Sequence, residues 1–253
     1  MSEEGSAKEE SAGSSLAPRI IKLLIAGLVL SIGFLCLVAS RTGAPEVATV
    51  KMVCGLIVLW IVLGGALMHY FRDSVRQFIL GVPLEWRVKF TLFATLLALV
   101  EEAIAVLMTN LAPLLGVEKG EAYLTASTNY LDVVLFHSVV VFIPLFIALA
   151  VLLTRYDFSP FAVFLLFGIT GILCEATINP AGAFFGIAQW IFIYGLMVYL
   201  PAYCLPQGRG ARPVEWYHYV FSVPAVFLIA LPLLIPIIYL IGHILKHPSG
   251  AHF

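Results

Sequence analysis

Charge is scarce in this sequence. Asp, Glu, Lys and Arg make up 11% of its 253 residues, apolar residues make up 61%, and the formal net charge is −1. A soluble domain of this length carries about twice that charged fraction. There is no basic stripe, which argues against nucleic acid as a partner. Cys36, Cys54, Cys174 and Cys204 form no C-x-x-C pair, so they imply neither a disulfide framework nor a zinc knuckle and read as small buried hydrophobes. No Asn-x-Ser/Thr acceptor occurs. No internal repeat is visible either, which weakens any transporter built from inverted halves. What the chain does have is hydropathy, with a mean of +1.02. Its first partner is therefore the lipid bilayer.

Apolar runs near the roughly 20 residues needed to cross a bilayer fall at Ile20–Ala39, Met52–Phe71, Phe90–Pro113, Val133–Thr154, Pro160–Ala181, Ala183–Tyr203 and Tyr219–Leu245. They predict an all-α polytopic membrane protein, a bundle of about seven transmembrane helices over residues 19–247. A polar tail over 1–18, rich in Ser, Gly, Ala, Glu and Lys, is expected to be disordered, and 248–253 forms a short tail. The last run holds Pro224, Pro232 and Pro236 and is expected to kink or break; six spans is the alternative if it is re-entrant. Between the second and third runs, Val75, Phe78, Ile79 and Val82 recur at helical spacing opposite Arg72, Asp73, Arg76 and Gln77. This predicts an interfacial amphipathic helix, with Trp86 at headgroup level.

Orientation follows from basic residues in the short connections. One side receives Lys8, Arg19, Lys22, Arg72, Arg76, Arg87, Lys89, Arg155, Arg209 and Arg212; the other receives only Arg41, Lys51, Lys119 and Lys246. The amino terminus is expected in the cytoplasm and the carboxyl terminus outside.

The polar residues inside these runs carry the functional question. Glu101 and Glu102 sit mid-run in LLALVEEAIAVLMTN, where a charge costs about 2.5–3.5 kcal/mol on insertion scales. His137 lies in the next run, and Glu175 and Asn179 share a face at i, i+4 in the one after. At 1.5 Å rise per residue, Glu101 lies about 12 Å, Glu175 about 8 Å and His137 about 7–8 Å from the same edge of a 30 Å core. Matched depth predicts one buried Glu/His/Asn cluster in the outer half of the bilayer, with these five residues as candidate catalytic groups. The plainer alternative is a hydrogen bond that locks helices together.

Paired glutamates on one span, a histidine on the next and a polar i, i+4 pair ending in Asn on a third resemble the CAAX-protease and bacteriocin-processing intramembrane proteases. That family's motifs read EExxxR, FxxxH and HxxxN, and the likeness covers Glu101–Asn179. Val106 stands at the arginine position, Val133 at the aromatic position (with Phe136 next to His137) and Glu175 at the second histidine. The resemblance implies that Glu101 or Glu102 activates water, that His137 assists, and that Asn179 steadies the oxyanion, with a protein or lipid substrate. An ion- or proton-coupled transporter and a non-catalytic subunit or scaffold are the other classes. A metal is the rival use of the same atoms: carboxylates with imidazole suit zinc, iron or manganese, but no H-E-x-x-H or E-x-x-H spacing supports one.

Other motifs have plainer explanations. Asn179-Pro180-Ala181 repeats the aquaporin tripeptide once where two copies are needed, and reads as a helix end. His243 and His247 at i, i+4, with His252 beyond, could share a metal but read as a solvated helix end. His69 and His218 sit at span ends. Gly64-Gly65, Gly168 and Gly171 read as close-packing positions. The segment Glu118–Tyr130 lies above the cluster, as its cover or as an ordinary connector.

Overall fold

The computed structural model describes residues 3–245, with side chains from Leu16 onward. His247, His252 and the tail 248–253 lie outside the described residues. Every run of regular structure is helical, and no strand is present among the described residues. This is an all-α, multi-pass integral membrane protein.

Helix α1 (Glu3–Ala39) begins within the polar tail, whose Ala, Glu and Lys are good helix formers, and its apolar part is Leu16–Ala39. Next, α2 (Ala44–Leu56) runs through a π-helical segment, Ile57–Gly64, into α3 (Gly65–Gly81), making one apolar span of 38 residues. The expected amphipathic helix is thus the continuation of a span and not a separate element, since Val75 and Ile79 pack against the core. Helix α4 (Trp86–Asn110) starts where Glu85 accepts the Arg87 N–H at 2.9 Å.

The fourth run, read from sequence as continuous, is broken. A short α5 (Tyr130–Phe136) and α6 (Val139–Arg155) meet at 44° across His137 and Ser138. Helix α7 (Pro160–Ile178) is capped by Ser159, with Pro160 at its first position, where the missing N–H costs nothing. A six-residue α8 (Pro180–Phe185) turns the chain into α9 (Ile187–Tyr203). Finally, α10 (Trp216–Tyr239) passes unbroken through its three prolines and loosens to a π turn at Leu240–Ile244.

All seven apolar runs are therefore helical, but unequal. Five are long enough to cross alone, the bent α5–α6 pair makes a sixth, and α9 has only 17 residues. Burial accounts for the short one. Helices α6 and α9 sit at the centre of the bundle, with Leu145, Phe146, Leu149, Met197 and Val198 at 0–1% exposure. Lipid-facing length is thus required of the surrounding helices and not of α9. Helices α7 and α9 approach through glycines: a Cβ on Gly168 would stand 2.9 Å from the Ile191 backbone. The Trp60 indole, in the π segment, donates to the Ile193 carbonyl at 3.0 Å and fixes α9 from the other side. On the basic face, residues 156–159 and 204–215 are tied by Asp157 N–H to Arg212 O and Arg212 N–H to Arg155 O, both 2.8 Å.

Candidate functional site

Helix α4 turns Glu101 and Glu102 inward, at 4% and 7% exposure. The same side of α4 carries Ala94, Ala98 and Ala105, all buried, which lets the helix backbone approach α6 and α9 closely enough to enclose the two carboxyls. Glu101 lies within electrostatic reach of both Glu102 and Glu175 of α7. Glu102 lies beside the Ser138 hydroxyl at the start of α6 and also feels Glu175. Tyr194 of α9 donates its phenol proton to Glu175. Four helices therefore converge on three carboxyl groups.

No Lys or Arg is among the groups that act on these three carboxyls. Three like charges in a water-poor interior repel strongly and cannot all ionise cheaply. Two of the three have a neutral O–H group beside them. Glu101 has no hydrogen-bond partner among the described residues.

Tyr194 is held tightly. Its ring stacks on Trp190 at 5.9 Å, meets Phe142 edge-on at 5.6 Å, and lies directly against Gly171 of α7. Any side chain at 171 would occupy the ring's position. The preceding residue, Ile193, is the one pinned by Trp60.

The break beside the site has a local cause. His137 leaves helical geometry (φ −123°, ψ −79°), and the N–H groups of both His137 and Ser138 return to Val133 O, at 3.2 and 3.0 Å. His137 Nε2 lies 3.7 Å from Asp132 Oδ2, an acidic partner on its own short helix. The segment above is bound to the end of α4. Thr109 Oγ1 accepts the Leu124 N–H at 3.1 Å, Asn110 Nδ2 donates to Thr128 O at 2.9 Å, and Tyr130 Oη reaches Leu99 O at 2.9 Å. Residues 111–129 thus cover the α4 end above Glu102.

Of the five residues singled out in the sequence, Glu101, Glu102 and Glu175 are brought together. His137 stands at the helix break, paired with Asp132 and adjacent to the Ser138 that lies beside Glu102. Asn179 lies one turn beyond Glu175 on an exposed turn, and its side chain caps α8 by accepting the Gly182 N–H at 2.9 Å. Its amide oxygen is thereby engaged, as the plain reading of Asn-Pro-Ala as a helix end requires. Ser138 and Tyr194 are site residues that the sequence reading missed. A buried tyrosine hydroxyl must find a partner, and Tyr194 sits in the run that follows Glu175. Among the described residues, no group of three His, Cys, Asp or Glu side chains has the arrangement to hold a metal ion.

Comparison of the chain with protein-family models, curated proteins and solved structures gives no match.

Proposed function

We propose that the Glu101–Glu102–Glu175 cluster is a proton-exchanging site within the bundle, and that it serves as the general base of an intramembrane hydrolase acting on a lipid-embedded protein or lipid substrate. The observation that carries this reading is the convergence of three carboxyls and two hydroxyls from four helices, with Glu101 alone left unanchored. A base must be free to take a proton, and its neighbours must hold still. Tyr194 fixes Glu175 and the Ser138 hydroxyl lies beside Glu102, so Glu101 takes the proton of an attacking water. The resemblance to the CAAX-type proteases supports the same assignment, with Glu175 in place of an imidazole. Asn179 caps α8 with its amide oxygen, and its Nδ2–H2 group is the donor that would serve an oxyanion.

A proton- or cation-coupled carrier is the second reading, favoured by the helix broken beside buried carboxyls with no basic residue acting on them. One preparation separates the two. Protein reconstituted in liposomes is given a prenylated fluorogenic peptide and a membrane-spanning reporter peptide in heavy-oxygen water. The hydrolase reading expects cleavage with label in the new carboxyl group, lost in Glu101→Gln. Cleavage that persists in the double variant Glu101→Gln/Glu102→Gln would overturn the base assignment. Absent cleavage, with proton uptake driven by a cation gradient and abolished by the same variants, would establish the carrier.

A further inference from the structure

A second polar site lies on the basic face, at the end of the bundle away from residues 111–129. On α3, Arg72 and Arg76 are i, i+4 and both guanidinium groups converge on one ring, Tyr203 at the end of α9, at 5.5 and 5.6 Å from its centroid. Two like charges brought to one ring need an anion nearby. Asp73 is the carboxylate at hand, and it is already engaged: it accepts the Tyr203 hydroxyl at 2.6 Å and lies 3.8 Å from Arg72 Nε. Arg76 is left over. Its Nε is buried and has no hydrogen-bond partner among the described residues, although a buried guanidinium N–H without an acceptor is costly.

The surroundings add positive charge, and the acceptors they hold are engaged by groups other than Arg76. Lys89 Nζ caps the end of α3 through Ile79 O at 2.9 Å and Val82 O at 3.2 Å, so its protons are used but its charge remains. Arg87 is matched by Glu85 at 2.8 Å. His69 Nδ1 lies 3.3 Å from Arg72 Nη1. Ile79, Trp86, Lys89, Phe93 and Leu205 line a water-sized gap of about 10 Å³ on the same face. Trp86 opens α4 on this face, at the level where an indole meets headgroups.

We infer that Arg76, with Arg72, binds the phosphate of an anionic phospholipid headgroup, with Tyr203 as the ring beneath the guanidinium groups. A guanidinium fork donates to phosphate oxygens two at a time, and those oxygens are the acceptors that Arg76 lacks. This lipid site is independent of the carboxyl cluster.

Nanodiscs of phosphatidylcholine alone and with phosphatidylglycerol, read by native mass spectrometry, test the assignment. Wild-type protein should retain phosphatidylglycerol through delipidation, and Arg76→Gln should weaken retention roughly five-fold, the effect of one basic side chain at a headgroup. Asp73→Asn removes the competing carboxylate at an exposed position and should strengthen retention by a similar factor. That gives a second arm if Arg76→Gln does not fold. Lys51→Gln, on the opposite face, should change nothing. Equal retention of phosphatidylglycerol by wild type, Arg76→Gln and Asp73→Asn would overturn the site. Displacement of the lipid by added inorganic phosphate would overturn the headgroup in favour of a free anion.

Discussion

Gly171→Ala adds one methyl group at the point where α7 carries the Tyr194 ring. The new Cβ would lie 2.7 Å from Tyr194 Cε2, with Cδ2 and Cγ nearer still. The ring cannot swing aside freely, because Trp190, Phe142 and Phe167 surround it at 5.9, 5.6 and 6.5 Å between centroids. Overpacking of this kind costs about 1–3 kcal/mol. Displacing the phenol also strips Glu175 of its donor, a further loss of about 1–3 kcal/mol for a buried polar group left unsatisfied. At 2–4 °C per kcal/mol for a chain of this size, thermal unfolding in detergent should move down by roughly 5–15 °C. Gly33→Ala is the control, since no atom lies within 4 Å of the Cβ it would add. A double-mutant cycle with Tyr194→Leu isolates the ring contact, because a smaller side chain at 194 should recover part of the Gly171→Ala loss. Equal melting temperatures for Gly171→Ala and Gly33→Ala would refute the placement of Tyr194 against α7 and, with it, the Tyr194–Glu175 contact.

Thr109→Val keeps the shape of the α4 end but removes the acceptor for the Leu124 N–H; hydrogen exchange at Leu124 should quicken roughly ten-fold, the effect of about 1.4 kcal/mol. Trp60→Phe removes the indole N–H that holds Ile193 O and leaves a void in the π segment, so unfolding should lose about 1–3 kcal/mol, read by thermal scans. Cysteines placed at Glu118 and Gln207 in a cysteine-free background should label from opposite sides of the membrane. The count of basic residues expects Gln207 to face the cytoplasm, and labelling of that position from outside intact cells would reverse the orientation.

The bundle was legible because lipid imposes one rule on every span: enough apolar residues to hide its hydrogen-bonded backbone. That rule finds the runs but not their interruptions. The break at His137–Ser138 falls within an apolar run that contains no Gly and no Pro until Pro144, so hydropathy could not mark it. The convergence of Glu101, Glu102 and Glu175 was legible from depth alone, since charged groups at matched depth have only the bundle interior to share. Tyr194 was hidden among the ten tyrosines because its hydroxyl is chosen by the α7–α9 crossing, which depends on Gly168, Gly171 and Gly195 acting at a distance. Asn179 shows the reverse case. Its motif position suggested chemistry, while the local signal, Asn before Pro with Gly beyond, already described a helix cap.

The measurement closest to the central claim is the stability of Glu101→Gln. Glu101 is 4% exposed, is repelled by Glu102 and Glu175, and has no hydrogen-bond partner among the described residues. Glutamine matches its shape and removes the charge. If the cluster is kept for proton exchange, this change relieves a strain that the fold otherwise carries, and the melting temperature in detergent should stay level or rise. If the cluster is instead a packing device, in which a proton shared between Glu101 and a neighbouring carboxyl ties the helices together, losing that proton leaves a buried group unsatisfied and should cost about 1–3 kcal/mol. A fall of that size in Glu101→Gln would contradict the account.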